Sequence, residues 1–84
     1  MIDIYYFASI RENLGLAQEQ IAVDAEITTV HSVVNALVKL HGARWDAVLR
    51  QSKVLMAVNK TVARHDTAIK DGDEVAFFPP VTGG

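Results

Sequence analysis

Hydrophobic and polar positions alternate with a period of two at the start of the chain and shift to a period of about 3.6 in its middle. Ile2, Ile4, Tyr6 and Ala8 fall on one face of an extended segment, and Asp3, Tyr5 and Phe7 on the other. Apolar groups on both faces predict a strand inside a sheet rather than at its edge. Arg11-Glu12-Asn13-Leu14-Gly15 predicts one helical turn, closed by a glycine suited to the left-handed conformation. Gln18 to Val23 alternates again with Ile21 and Val23 inward, which predicts a second strand returning by a hairpin-like connection.

The helical period is clearest from Val30 onward. Val30, Val33, Val34, Leu37 and Leu40 follow i, i+3, i+4, i+7 spacing, while His31, Ser32, Asn35 and Lys39 form the polar side. Thr28 or Thr29 can cap the start, and Gly42 ends the helix after His41. Trp45, Val48 and Leu49 predict a short second helical turn.

Val54-Leu55-Met56-Ala57-Val58 then predicts a buried strand, Asn59-Lys60 a tight turn and Thr61-Val62-Ala63 the returning strand. Asp71-Gly72 marks another turn before a last strand, Glu74 to Phe78. The order β-β-α-β-β-β makes the fold class α+β, one sheet covered by one main helix. Residues 1–78 form the domain and residues 79–84 an extended C-terminal tail. In the last strand Val75 and Phe77 share one face and Ala76 and Phe78 the other. The helix meets the Val75/Phe77 side, so Phe78 is assigned outward, the alternative being that it packs on Tyr5 or Phe7.

Composition narrows the function. Eighty-four residues make one domain, and with half of them hydrophobic they can bury a core. A net charge of −2 lacks the basic excess of a nucleic-acid binder. No apolar run approaches the ~20 residues of a membrane span, and the opening segment lacks the basic region of a signal peptide. A cytoplasmic protein is expected. With no cysteine, a disulfide scaffold, a thiolate zinc site, an iron–sulfur cluster and a cysteine nucleophile are all excluded.

Candidate chemistry inside the domain is sparse. His31, His41 and His65 lack metal or catalytic spacing and read as surface residues. Asp71, Asp73 and Glu74 lack the spread of ligands of a calcium loop and read as a turn. Asn59-Lys60-Thr61 matches a glycosylation sequon, but a cytosolic chain never meets that machinery. No glycine-rich phosphate loop and no Ser/His/Asp set is visible.

The C-terminus is different: Phe77-Phe78-Pro79-Pro80-Val81-Thr82-Gly83-Gly84. At ~7% glycine, two terminal glycines arise by chance in roughly one chain in 200, suggestive but not specific. Pro79-Pro80 stiffens the exit from the sheet. Six residues from Pro79 reach about 20 Å at ~3.3 Å each, enough to enter another protein's active site. Glycine lacks a Cβ, so it threads a narrow channel and permits close approach to the terminal carbonyl. A carboxylate is a poor acyl electrophile. Transfer of AMP from ATP makes a mixed anhydride that a sulfur nucleophile can displace, leaving a thiocarboxylate on Gly84.

With these residues in view, the chain resembles the molybdopterin synthase small-subunit family, ubiquitin-like β-grasp sulfur carriers. The resemblance is carried by the stretch from Asp71 to Gly84 and, more weakly, by Phe7-Ala8, Arg11-Glu12 and Gly15. It implies a mixed five-stranded sheet around the main helix, with first and last strands adjacent and parallel. It also implies that an E1-like adenylating enzyme uses MgATP to form a Gly84 adenylate, which a sulfurtransferase system converts to 1-thioglycine. This chain would bind no cofactor or metal itself. Val81, Thr82 and Gly83 would thread into the large subunit of a heterotetrameric synthase, where sulfur passes to cyclic pyranopterin monophosphate. Phe78, Pro79, Pro80 and Arg11 would contact partners, and the catalytic acids and bases would sit on the large subunit. Two alternatives share the activation chemistry: a thiazole-pathway sulfur carrier, and a ubiquitin-like modifier joined through Gly84 to lysine. A binding-only β-grasp module with an idle tail is a third.

Overall fold

In a computed structural model of the chain, which describes residues 1–51 and 53–80, the opening alternation becomes strand β1 (Ile2–Tyr6). Its inward side chains Ile2, Ile4 and Tyr6 are buried. Helix α1 (Ala8–Leu14) follows and ends at Gly15, whose φ of 71° is the left-handed conformation expected of it. Strand β2 (Gln18–Ile21) runs antiparallel to β1, with Ile2 opposite Ile21. Val23 lies beyond the end of this strand, half-buried against the core.

Helix α2 (Val30–His41) begins at Thr29. The Ser32 N–H donates to Thr29 Oγ1 at 3.2 Å, and the Thr29 N–H donates to Ser32 Oγ at 2.8 Å. This reciprocal cap satisfies donors that the first turn leaves free, with serine in the place usually held by Glu or Gln. Val30, Val33, Val34 and Leu37 are buried, as their spacing predicts. Leu40 is not: it is 63% exposed. At 3.6 residues per turn it lies about 20° from Val33, on the border of the apolar stripe and in the last turn of the helix. There it borders an open groove with Ile27 and Ala36. Gly42 ends the helix and starts α3 (Ala43–Leu49), which buries Trp45, Val48 and Leu49. The helical layer is therefore one main helix and two short ones, in the order β-α-β-α-α-β-β-β.

Strand β3 (Leu55–Val58) opens one residue later than its apolar run, and Val54 is buried ahead of it. Asn59 and Lys60 both have positive φ, 50° and 69°, the primed geometry that joins β3 to β4 (Thr61–Ala63). Strand β5 (Glu74–Phe78) lies between β1 and β3, giving the order β2-β1-β5-β3-β4. It is parallel to β1 and antiparallel to β3. The outcome is a mixed five-stranded sheet with the first and last strands adjacent and parallel. No helix of the described residues is long and apolar enough to cross a membrane.

A buried carboxylate joins the β3–β4 turn to the start of β5. Asp73 accepts from Asn59 Nδ2 at 3.0 Å and from the Lys70 N–H at 2.9 Å. Asn59 Oδ1 in turn accepts from the Glu74 N–H. The Asn59 hydrogen bond first, and the Lys70 backbone next, hold the Asp73 carboxyl below the usual carboxylate range. Of the crowded acids, Asp71 and Asp73 thus belong to the turn, with Asp73 as its structural acceptor, while Glu74 opens β5.

Two outcomes check this packing. Leu37→Ala should cost ~2–5 kcal/mol in urea melts, whereas Leu40→Ala should stay within about 0.5 kcal/mol. Because folding favours ionised Asp73, its contribution is full above the unfolded carboxylate value of 3.8 and is lost as pH falls through the lower folded value. Asp73→Asn should therefore be less stable than the parent at pH 7, with the gap closing below about pH 4.

Candidate functional site: the exit of the last strand

The parallel pairing of β1 and β5 brings the ends of both strands to the same edge of the domain. Tyr6 is opposite Phe77, and their rings stack at 5.9 Å. The Phe7 N–H donates to the Phe77 carbonyl at 3.0 Å, the last rung before the chains diverge. From there β1 turns into α1, while β5 passes through Phe78 to Pro79 and Pro80. Ala8, the first residue of α1, has φ of 50°, a left-handed conformation unusual for a residue with a Cβ. It makes the sharp turn between strand and helix.

The two faces of β5 divide as the alternation predicts. Val75 and Phe77 are fully buried on the helix side. Phe78 is half-buried on the other face, where β3 places Leu55 opposite it. Tyr5 stands opposite Ala76 rather than Phe78, and its ring stacks on Phe7 at 6.3 Å. Phe7 is 48% exposed and Leu55 36% exposed. Phe7, Leu55 and Phe78, with Pro79, make an apolar surface beside the exit of β5.

Of the residues singled out from the sequence, the structure brings Phe78, Pro79, Pro80 and Arg11 to this edge. Arg11 is exposed on α1, whose Ile10 and Leu14 are buried and which packs against β5. Val81, Thr82, Gly83 and Gly84 lie outside the described residues. Leu55 and Phe7 were not singled out as partner-facing. The alternation had already put Phe7 on the face opposite Ile4, but Leu55 sat inside a run apolar on both faces.

Beneath the site lies a polar cluster that the sequence did not reveal. The Tyr6 hydroxyl donates to Glu19 Oε2 at 2.7 Å and accepts from Trp45 Nε1 at 2.9 Å. Burial first, then the Glu19 carboxylate that takes its hydrogen bond, pushes the Tyr6 phenol up. His41 is part of this cluster and not a surface residue. Its Nε2 lies 2.8 Å from Glu19 Oε1, and its ring stacks on Trp45 at 3.9 Å. The Glu19 carboxylate on β2 therefore ties β1 to the end of α2, and Trp45 of α3 joins through the Tyr6 hydroxyl and the His41 ring. His31 and His65 are exposed, as expected. Among the described residues no three His, Cys, Asp or Glu side chains are grouped to hold a metal.

Comparison with known proteins gives this geometry a context. The family model described as the ThiS family matches residues 4–84. The molybdopterin synthase sulfur carrier subunit of Escherichia coli is 42% identical over 84 residues, all of this chain and all of that protein. The protein of the same name from Haemophilus influenzae is 38% identical, again over the whole of both chains. Among solved structures, small archaeal modifier protein 1 of Haloferax volcanii superposes with a TM-score of 0.74 at 28% identity, covering 95% of this chain and 97% of that one. The architecture shared with the solved structure is a ubiquitin-like β-grasp fold.

The division of β5 into a core face and an outer face is open to test. Phe77→Ala should cost about 3–5 kcal/mol, as for other fully buried aromatics. Phe78→Ala should cost less than half as much in the same thermal or urea melts.

Proposed function

The chain belongs to the ThiS family, and from that premise we propose that it is the sulfur-carrying small subunit of a molybdopterin synthase, reacting through the carboxylate of Gly84. The observation that carries this reading is the alignment with two molybdopterin synthase sulfur carrier subunits, which runs through the whole of each chain and so includes Gly83-Gly84. The fold supports it. A central strand leads straight into Pro79-Pro80, and the domain offers an apolar surface beside that exit.

Each step follows from the chemistry of a carboxylate. A Gly84 oxygen attacks the α-phosphorus of MgATP held by an E1-like enzyme, a P–O bond forms, and pyrophosphate leaves. The acyl adenylate has a carbonyl no longer shielded by negative charge. A sulfur nucleophile adds to it, AMP departs with the bonding pair, and a C–S bond replaces a C–O bond. This chain has no cysteine, so the sulfur arrives as a persulfide on a partner sulfurtransferase system. The acyl disulfide first formed is cleaved by a partner thiol, which forms a disulfide with the sulfurtransferase sulfur and releases the thiocarboxylate. In the synthase the large subunit would receive the tail, its Val81, Thr82 and Gly83 in extended form. It would then catalyse sulfur transfer to cyclic pyranopterin monophosphate. The working compartment is the cytoplasm.

The apolar surface serves docking. Phe78 and Phe7 provide aromatic anchors, Leu55 and Pro79 extend them, and Arg11 supplies a polar contact at the rim. Such anchors carry a large share of the energy at protein interfaces. The E1-like enzyme and the large subunit use the same surface in turn, because both must take hold of the tail.

A second reading has its own support: the likeness to small archaeal modifier protein 1, whose name describes a protein modifier. A modifier ends in an isopeptide bond to lysine, a sulfur carrier in a thiocarboxylate. The activating step does not separate them, but the products do.

Deleting Gly84, or adding one residue after it, should abolish sulfur transfer in a reconstituted synthase assay while leaving the melting temperature unchanged. Phe78→Ala should weaken binding to the large subunit by about thirtyfold in a calorimetric titration, the equivalent of ~2 kcal/mol. Full transfer by an extended, unprocessed chain would contradict the role of Gly84. Recovery of the chain on lysines in denatured extract would favour the modifier.

A further inference from the structure

His31 and His65 lie together where the segment after β4 crosses the start of α2. Their rings are 6.2 Å apart between centroids and inclined at 76°. Both side chains are exposed, and neither takes part in the Glu19 cluster that engages His41.

The backbone beneath the two rings is held independently of the rings themselves. The His31 N–H donates to the His65 carbonyl at 2.8 Å, the Val30 N–H to Thr67 at 3.0 Å, and the Ile69 N–H to Thr28 at 2.9 Å. Thr29 and Ala68 form an isolated bridge in the same place. The connecting turn is closed by the Thr67 N–H to the Arg64 carbonyl and the Arg64 N–H to Thr67 Oγ1. Two imidazoles are therefore carried edge to face on a fixed backbone frame, so the ordering that a shared ligand requires is confined to the two side chains.

We propose that His31 and His65 form a binding site for one divalent transition-metal ion of the zinc, copper and nickel class. Neutral imidazole offers one nitrogen lone pair per ring, a donor that suits these ions better than magnesium or calcium. With metal–nitrogen bonds of about 2.0–2.1 Å, and a ring centroid about 1.2 Å behind each nitrogen, two rings sharing an ion stand at most about 6.5 Å apart. A tetrahedral angle brings them to about 5.3 Å. The observed 6.2 Å lies inside this range. Rotation of two exposed side chains covers the difference without disturbing the core.

Because no third His, Cys, Asp or Glu joins the pair among the described residues, water completes the coordination shell. The ion is thus bound less tightly than in a four-ligand structural site. The position of His31 in the first turn of α2, where the helix dipole opposes a cation, weakens it further. Neither effect changes which ions the donors select.

The test uses the full chain, untagged and stripped with EDTA, titrated with zinc chloride by calorimetry and by nitrogen-15 NMR of the histidine rings. One saturable zinc per chain is expected, with shifts at the His31 and His65 ring nitrogens and none at His41. His31→Ala and His65→Ala, both at exposed positions, should each lower zinc affinity at least tenfold while keeping the parent melting temperature. Magnesium chloride should give no saturable heat. Equal zinc affinity in the parent and both variants, or shifts scattered over unrelated residues, would mean an adventitious ion only and overturn the site. Sulfur transfer assayed without added zinc should be the same in parent and variants, so this result stands apart from the fate of Gly84.

Discussion

Strands β1 and β5 come from opposite ends of the chain, yet they lie side by side and parallel at the middle of the sheet. The Asp3 N–H closes one end of the pairing on Asp73, and the Phe7 N–H closes the other on Phe77. A parallel pair cannot be joined by a short turn, so most of the chain, including the helical layer, is spent on the crossover. Val75 and Phe77 reach the core only in the observed register. A slip of one residue would turn Phe78 inward and Phe77 out. The same register brings the exit of β5 against the turn from β1 into α1, and so builds the surface of Phe7, Leu55, Phe78 and Pro79.

The two faces of the sheet divide the work. The inner face, with Ile2, Ile4, Tyr6, Val75 and Phe77, supports stability together with Leu37 and the caps of α2. The outer face carries aromatic and aliphatic groups that no helix covers. Tyr6 links the two functions. Its ring supports Phe77, and its hydroxyl connects to Glu19 and Trp45. The exit of β5 thus rests on a buried, hydrogen-bonded frame.

Much of this was legible in the residues because local and global preferences agree. The stripe Val30, Val33, Val34, Leu37 has one helical solution, and Gly15, Thr29, Gly42 and Asn59-Lys60 mark boundaries by stereochemistry that few other residues share. Leu40 was misplaced because periodicity reports an angle around the helix, not where neighbouring elements end. His41 was misread because its partner, Glu19, lies on another strand, and one-dimensional spacing carries no information on that contact. Leu55 was hidden within a strand apolar on both faces. The function was legible only at the tail, where Pro-Pro and Gly-Gly have little reason to occur for the sake of packing. The parallel pairing came from family resemblance, since alternation alone does not order strands.

The most direct test is of the product at Gly84. The chain would be incubated with an E1-like enzyme, MgATP and a sulfur source, alkylated with a thiol-selective reagent and digested with trypsin. Mass analysis would then follow the C-terminal peptide. Both methionines, Met1 and Met56, lie outside the peptide that follows Lys70, so methionine oxidation cannot mimic the exchange of oxygen for sulfur. No cysteine is present to compete for the reagent. A sulfur carrier gives a peptide alkylated at Gly84 in an ATP-dependent manner. An unmodified Gly84 carboxylate in a reaction that converts ATP to pyrophosphate would contradict it.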